Sequence, residues 1–87
     1  MKDFNFYYYS IIDLSKDLYT GKEHQYTIDF FEEIQEDLYS CYHKEGNDFL
    51  GTLVGSLHYK TENLLEICDK TLYDYQILTK LLKILQA

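Results

Sequence analysis

The stretch Thr27–Gly46, TIDFFEEIQEDLYSCYHKEG, decides how this chain folds. Its apolar residues Phe31, Ile34, Leu38 and Cys41 recur at steps of three and four, which puts them on one stripe of a helix. Phe30 and Tyr42 flank that stripe. Asp29, Glu32, Glu33, Glu36 and Asp37 fall on the half of the helix that faces away from it. Thr27 is suited to cap the free amides at the start, with Tyr26 stapled onto Phe31. Gly46 is placed to end the helix, with Lys44 in its last turn.

The same periodicity extends in both directions. Proline is absent and β-branched residues are sparse. A first helix is expected from about Phe4 to Thr20, with Phe4, Tyr7, Tyr8, Ile11, Leu14 and Leu18 inward, Tyr9 outside, and Gly21 in the left-handed position after its end. A third helical region opens near Asn47 or Asp48 and carries Phe49, Leu50, Leu53, Val54, Leu57, Leu64, Leu65 and Cys68 in compatible phase. It is either continuous to about Asp69 or broken near Lys60-Thr61, with Thr61 capping a new helix. A last helix is expected after Asp74 as N-cap, burying Leu78, Leu81, Leu82 and Leu85. Short polar connections favour antiparallel neighbours, so the expected fold is all-α, a single-domain antiparallel four-helix bundle over residues 1–87.

Eighty-seven residues suit one core and not two, and 46% hydrophobic content is far from the signature of disorder. Fifteen acids stand against eight lysines, with no arginine, for a formal net charge of −7. Direct nucleic-acid binding is therefore not expected, because phosphate contacts need a basic surface. An anionic membrane surface is disfavoured for the same reason. No apolar run approaches the roughly 18 residues of a membrane span, and no secretory leader pattern opens the chain. Cys41 and Cys68 sit in apolar helical patterns and are expected to be reduced, buried thiols in a cytoplasmic protein.

Residue patterns for catalysis are largely missing. His24, His43 and His58 have no ligand spacing, no Glu-x-x-His pair occurs, and no glycine-rich phosphate loop is present. No metal, cofactor or enzymatic activity is expected. Gly51 and Gly55 form a small-x-x-x-small pair, expected to allow a close helix crossing inside the molecule, with a dimer contact as the other option. The free protein is expected to be a monomer or weak dimer. Among ten tyrosines, Tyr9, Tyr39, Tyr59 and Tyr75 are expected to be exposed, and two or three of them to serve a partner surface.

Asp29, Glu32 and Glu33 near a helix start would favour the macrodipole, whereas Glu36 and Asp37 gain nothing of that kind. The like-charge pairs Glu32/Glu36 and Glu33/Asp37 each cost a few tenths of a kcal/mol, roughly, and no cation on the same face offsets them. Such a face is either solvated or made to meet a basic protein. Glu62, Glu66 and Asp69 share a similar spacing and extend the surface if the bundle brings them alongside.

The order of features resembles the bacterial self-protective, colicin D-like immunity proteins. The likeness lies in Ile11-Ile12-Asp13-Leu14-Ser15-Lys16-Asp17-Leu18, the turn at Gly21, Thr27-x-x-Phe30-Phe31 opening an acidic helix, and Tyr73-Asp74-Tyr75-Gln76-Ile77-Leu78 leading into Leu81-Leu82-Lys83-Ile84-Leu85. The resemblance implies a small helical protein that binds a toxin's nuclease domain, a transfer-RNA-cleaving one in the colicin D type, and presents acids to its basic cleft. Immunity to contact-dependent inhibition toxins is a related family use. The leading expectation is thus an immunity protein docking Asp29, Glu32, Glu33, Glu36 and Asp37 on a basic toxin nuclease. The alternative is a phage-encoded nucleic-acid mimic, of the anti-CRISPR kind, that blocks a host defence or transcription protein.

Overall fold

A computed structural model describes residues 2–86. Helix α1 (Phe4–Ser15) starts where the carboxylate of Asp3 accepts the amide of Phe6 at 3.0 Å. It is shorter than the expected run to Thr20. The amides of Lys16, Asp17 and Leu18 donate to the carbonyls of Asp13, Leu14 and Ser15, so the chain tightens into i→i+3 winding beyond Ser15. Tyr19 then takes φ 70°, and Gly21 follows at φ 85°. The left-handed turn expected of the glycine alone thus begins on a tyrosine, at a cost of about 1–2 kcal/mol for a side chain with a Cβ.

Helix α2 (Gln25–Ser40) opens two residues before the expected cap, with His24 in the N-cap position. Thr27 is therefore not a cap: it lies in the first turn and is wholly buried. A π-helical turn, Cys41–Glu45, carries on from α2, closed by the Gly46 amide donating to the Cys41 carbonyl at 2.7 Å. Gly46 at φ 81° ends it, as its position predicts. Helix α3 (Asn47–Ile67) is unbroken, because the Thr61 hydroxyl donates back to the Leu57 carbonyl at 2.7 Å and stays within the helix. Helix α4 (Tyr73–Gln86) includes Asp74 in its first turn, so Asp74 is not the expected N-cap.

The helices form a ring in which α1 touches α2 and α4, and α3 touches α2 and α4, giving the antiparallel four-helix bundle. Among these, α3 and α4 share the most extensive interface and α2 and α3 the slightest. Tyr7, Ile11, Phe31, Ile34, Leu38, Leu57, Ile77, Leu78 and Leu81 fill the centre. Burying one such side chain contributes about 1.5–3 kcal/mol, so the seam of α2 alone is a substantial share of what holds the fold. Several apolar positions depart from expectation: Phe49 and Tyr42 are exposed, Phe4, Tyr8, Leu53, Leu64, Leu65 and Leu82 are only partly buried, and Ile77 takes a core place. Cys41 and Cys68 are buried free thiols, and burial pushes both thiol pKa values up. Gly51 and Gly55 face outward, and a Cβ at Gly55 would meet nothing within 4 Å. Among the described residues the expected close crossing inside the molecule is not seen, since the buried stripe of α3 runs through Leu50, Val54, Leu57 and Thr61 and leaves both glycines off it.

Candidate partner-binding surface

At about 100° per residue, the seam of α2 and its acids occupy opposite sides of one cylinder. Asp29, Glu32, Glu33 and Glu36 are exposed and Asp37 is half-buried. The corrected helix start changes their electrostatics. With Gln25 as the first helical residue, none of the five lies in the first turn, so the macrodipole offers them little. Asp29 accepts from Gln25 Nε2 at 2.9 Å, and Glu32 accepts from the Tyr19 hydroxyl at 3.3 Å. Partial desolvation and then the nearby Glu32 carboxylate push the Tyr19 pKa up, which keeps that hydroxyl a donor. Among the described residues no lysine forms an ion pair with any of the five; the ion pairs are Lys16–Asp13, His24–Asp74 and His58–Glu62.

The slight α2–α3 contact leaves a groove of about 360 Å³ along this face. Tyr26, Asp29, Phe30 and Glu33 form one wall; Lys60, Asn63 and Leu64 form the other. Lys60 thus faces Asp29 and Glu33 across the groove, from α3 and not from their own helix.

The second acidic group is placed differently. Glu62 and Glu66 lie about 200° and 240° round α3 from Lys60, so they leave the helix away from the groove. Glu62 pairs with His58 at 3.2 Å, and His58 Nε2 lies 3.2 Å from Gln86 of α4, which puts Glu62 on the α4 side. Asp69 sits in the turn between α3 and α4, accepting from the Thr71 amide and hydroxyl at 2.9 Å each; those bonds lower its pKa. The bundle therefore gathers the five acids of α2 but does not bring Glu62, Glu66 and Asp69 alongside them.

Two features escaped the sequence reading. At one end of α2, the wholly buried carboxylate of Asp74 accepts from the His24 amide at 2.9 and 3.1 Å and contacts His24 Nδ1. Tyr26 is stacked on the His24 ring, and burial together with the neighbouring Cys68 and Asp74 pushes its pKa up to about 12. This cluster joins the starts of α2 and α4; its members are 50 positions apart, and no local spacing signals it.

At the other end, Phe4 and Tyr8 of α1 meet Tyr39, Tyr42 and His43 of α2 and the π turn around an open groove of about 250 Å³, with Tyr9 at its lip. Phe4 stacks on Tyr42 at 4.6 Å and Tyr39 packs on His43 at 4.3 Å. Tyr9, Tyr39 and Tyr42 remain 63%, 58% and 56% exposed. Tyr59 is exposed too, whereas Tyr75 packs against the core.

Among the described residues no three histidine, cysteine or carboxylate side chains gather as a metal-ion site, and no helix is long and apolar enough to cross a membrane. Comparison with protein-family models, with curated proteins and with solved structures found no match for the chain.

Proposed function

We propose that the protein is an immunity protein: a stoichiometric inhibitor that lays the acidic face of α2 on the basic cleft of a bacterial toxin nuclease. One observation carries this reading. Five carboxylates share the exposed side of α2, and among the described residues none has a lysine partner. Their mutual repulsion is a cost to the free protein, and a cationic partner turns that cost into attraction. The resemblance of feature order to the colicin D-like immunity proteins supplies the class of partner, an enzyme whose cleft binds RNA. The inhibitor itself works in the cytoplasm, needs no cofactor, and acts by occupying the cleft. Charge of this sign also accelerates encounter and makes it salt-sensitive.

The test begins with capture of the partner on the tagged protein at low salt, followed by an RNA-cleavage assay of that partner with and without the protein. Stoichiometric loss of cleavage is the expected result. The double change Glu33→Lys with Glu36→Lys should weaken binding at least about tenfold at low salt and leave helicity intact. Undiminished affinity in that variant would sink charge docking, and a captured defence effector or polymerase would move the protein to the phage-inhibitor class.

A further inference from the structure

The aromatic groove between the start of α1 and the end of α2 lies at the edge of the core, where Phe4 and Tyr8 pack against it, and gathers five phenyl or phenol rings and an imidazole, three of the rings largely exposed. We infer that it receives an arginine side chain of the same basic partner, stacked on Tyr39 and Tyr9. The inference rests on the acidic face of α2 being the docking surface, and it adds the specificity element of that surface.

Continuity is the first reason. Glu32, Glu36, Tyr39 and His43 follow one another at steps of four, three and four, so the acidic face runs directly into the groove along one stripe of α2. Tyr39 and His43 are in ring contact, which carries the stripe across the π turn. Asp3 lies at the other end, lining the adjoining cleft with Phe4, Asn5 and Tyr42. A cation bound on these rings would thus have carboxylates beyond both ends of the groove.

Size and charge narrow the occupant. At about 250 Å³ the groove is smaller than the roughly 300–1,000 Å³ of small-molecule sites, and it is long and open enough for one extended side chain. A second copy of this chain is a poor candidate, because it brings a charge of −7 and no arginine. Among the described residues the cation held over a ring is Lys2, 5.7 Å from Phe6, which does not line this groove. Among the described residues no lysine is held over the rings of this groove, and Tyr9 and Tyr39 keep exposed ring surface for a cation from outside. A guanidinium is planar, weakly hydrated and stacks on aromatic faces, which favours arginine over lysine.

The test uses the intact protein with two acetylated probe peptides, hexa-arginine and hexa-lysine, titrated calorimetrically at low salt. The arginine peptide should bind about 3- to 10-fold tighter. Tyr39→Ala combined with Tyr9→Ala should erase that preference, whereas Tyr39→Phe, which keeps the ring, should retain it; both positions are exposed enough for circular dichroism to stay unchanged. Glu33→Lys with Glu36→Lys should weaken both peptides and leave their ratio alone. Equal affinities unmoved by the tyrosine changes would overturn the groove assignment while leaving the acidic face as the docking surface. Failure of both peptides to bind would overturn the two together.

Discussion

Thr27 is the position where local sequence logic and the folded structure demand opposite outcomes. As a helix N-cap it would lose about 0.5–2 kcal/mol on removal of its hydroxyl. In the bundle it is 0% exposed, and its Oγ1 finds no hydrogen-bond partner among the described residues. A buried hydroxyl without a partner costs about 1–3 kcal/mol on mutational scales. Thr27→Val keeps the branched shape and the helix propensity, removes that cost, and adds roughly one methyl of apolar burial. A gain of about 1–2 kcal/mol is expected. Urea unfolding measures it as a higher midpoint at constant slope, and thermal unfolding as a rise of about 4–8 °C per kcal/mol for a domain of this size. Thr61→Val is the internal control. That threonine is equally buried but donates to the Leu57 carbonyl at 2.7 Å, so its replacement should lose about 0.5–1 kcal/mol. If Thr27→Val destabilises, or the two substitutions move stability in the same direction, the assignment of Thr27 to the core is refuted.

Asp74→Ala should cost about 3 kcal/mol, since it strands the His24 amide and removes the contact to the His24 ring; a loss below about 1 kcal/mol in denaturant unfolding would reject the cluster as a fastening. That figure is a large part of the roughly 4–13 kcal/mol available to a chain this long. Gly55→Ala should stabilise by about 1 kcal/mol, because α3 gains a better helix former and nothing lies within 4 Å of the new methyl; it should leave partner affinity unchanged, as titration of the captured partner would check. The Tyr26 pKa is pushed up to about 12 from 10.0. A phenol held neutral in the folded state contributes stability that is intact below pH 10 and lost as pH rises toward 12. Wild type should therefore lose more stability across that window than Tyr26→Phe, as unfolding at stepped pH would measure.

The fold was legible where one face of one helix decided the matter. Phe31, Ile34, Leu38 and Cys41 took the core as their spacing predicts, Gly46 ended its segment, and Tyr9, Tyr39 and Tyr59 stayed outside. Legibility failed where a residue had two competent roles and a distant partner chose between them. Asp74 looks like a cap for its own helix, yet its carboxylate holds the start of another, 50 positions away. Thr27 looks like a cap, but the chain begins to wind at Gln25 once Asp74 holds His24. Tyr19 reverses the chain ahead of Gly21, and its hydroxyl reaches Glu32, a contact across the fold and not along it. The five acids of α2 were visible as one helix face. Their separation from Glu62 and Glu66 was not, because it depends on which side of α3 meets α4. The aromatic groove joins residues from two helices and had no single-stretch signature.

The fastening at Asp74 also bears on the order in which the molecule assembles. Helices with local contacts form early, while contacts that close long loops wait for the chain to come together. The start of α2 is held by Asp74, and the loop before it is held by Tyr73, whose hydroxyl donates to the Asp17 carbonyl across 56 positions at 2.9 Å. Both ties belong to α4. A nascent or unfolding chain that lacks a docked α4 therefore lacks both of these ties on the α1–α2 connection, and the acidic helix gains them only when the last helix closes the ring.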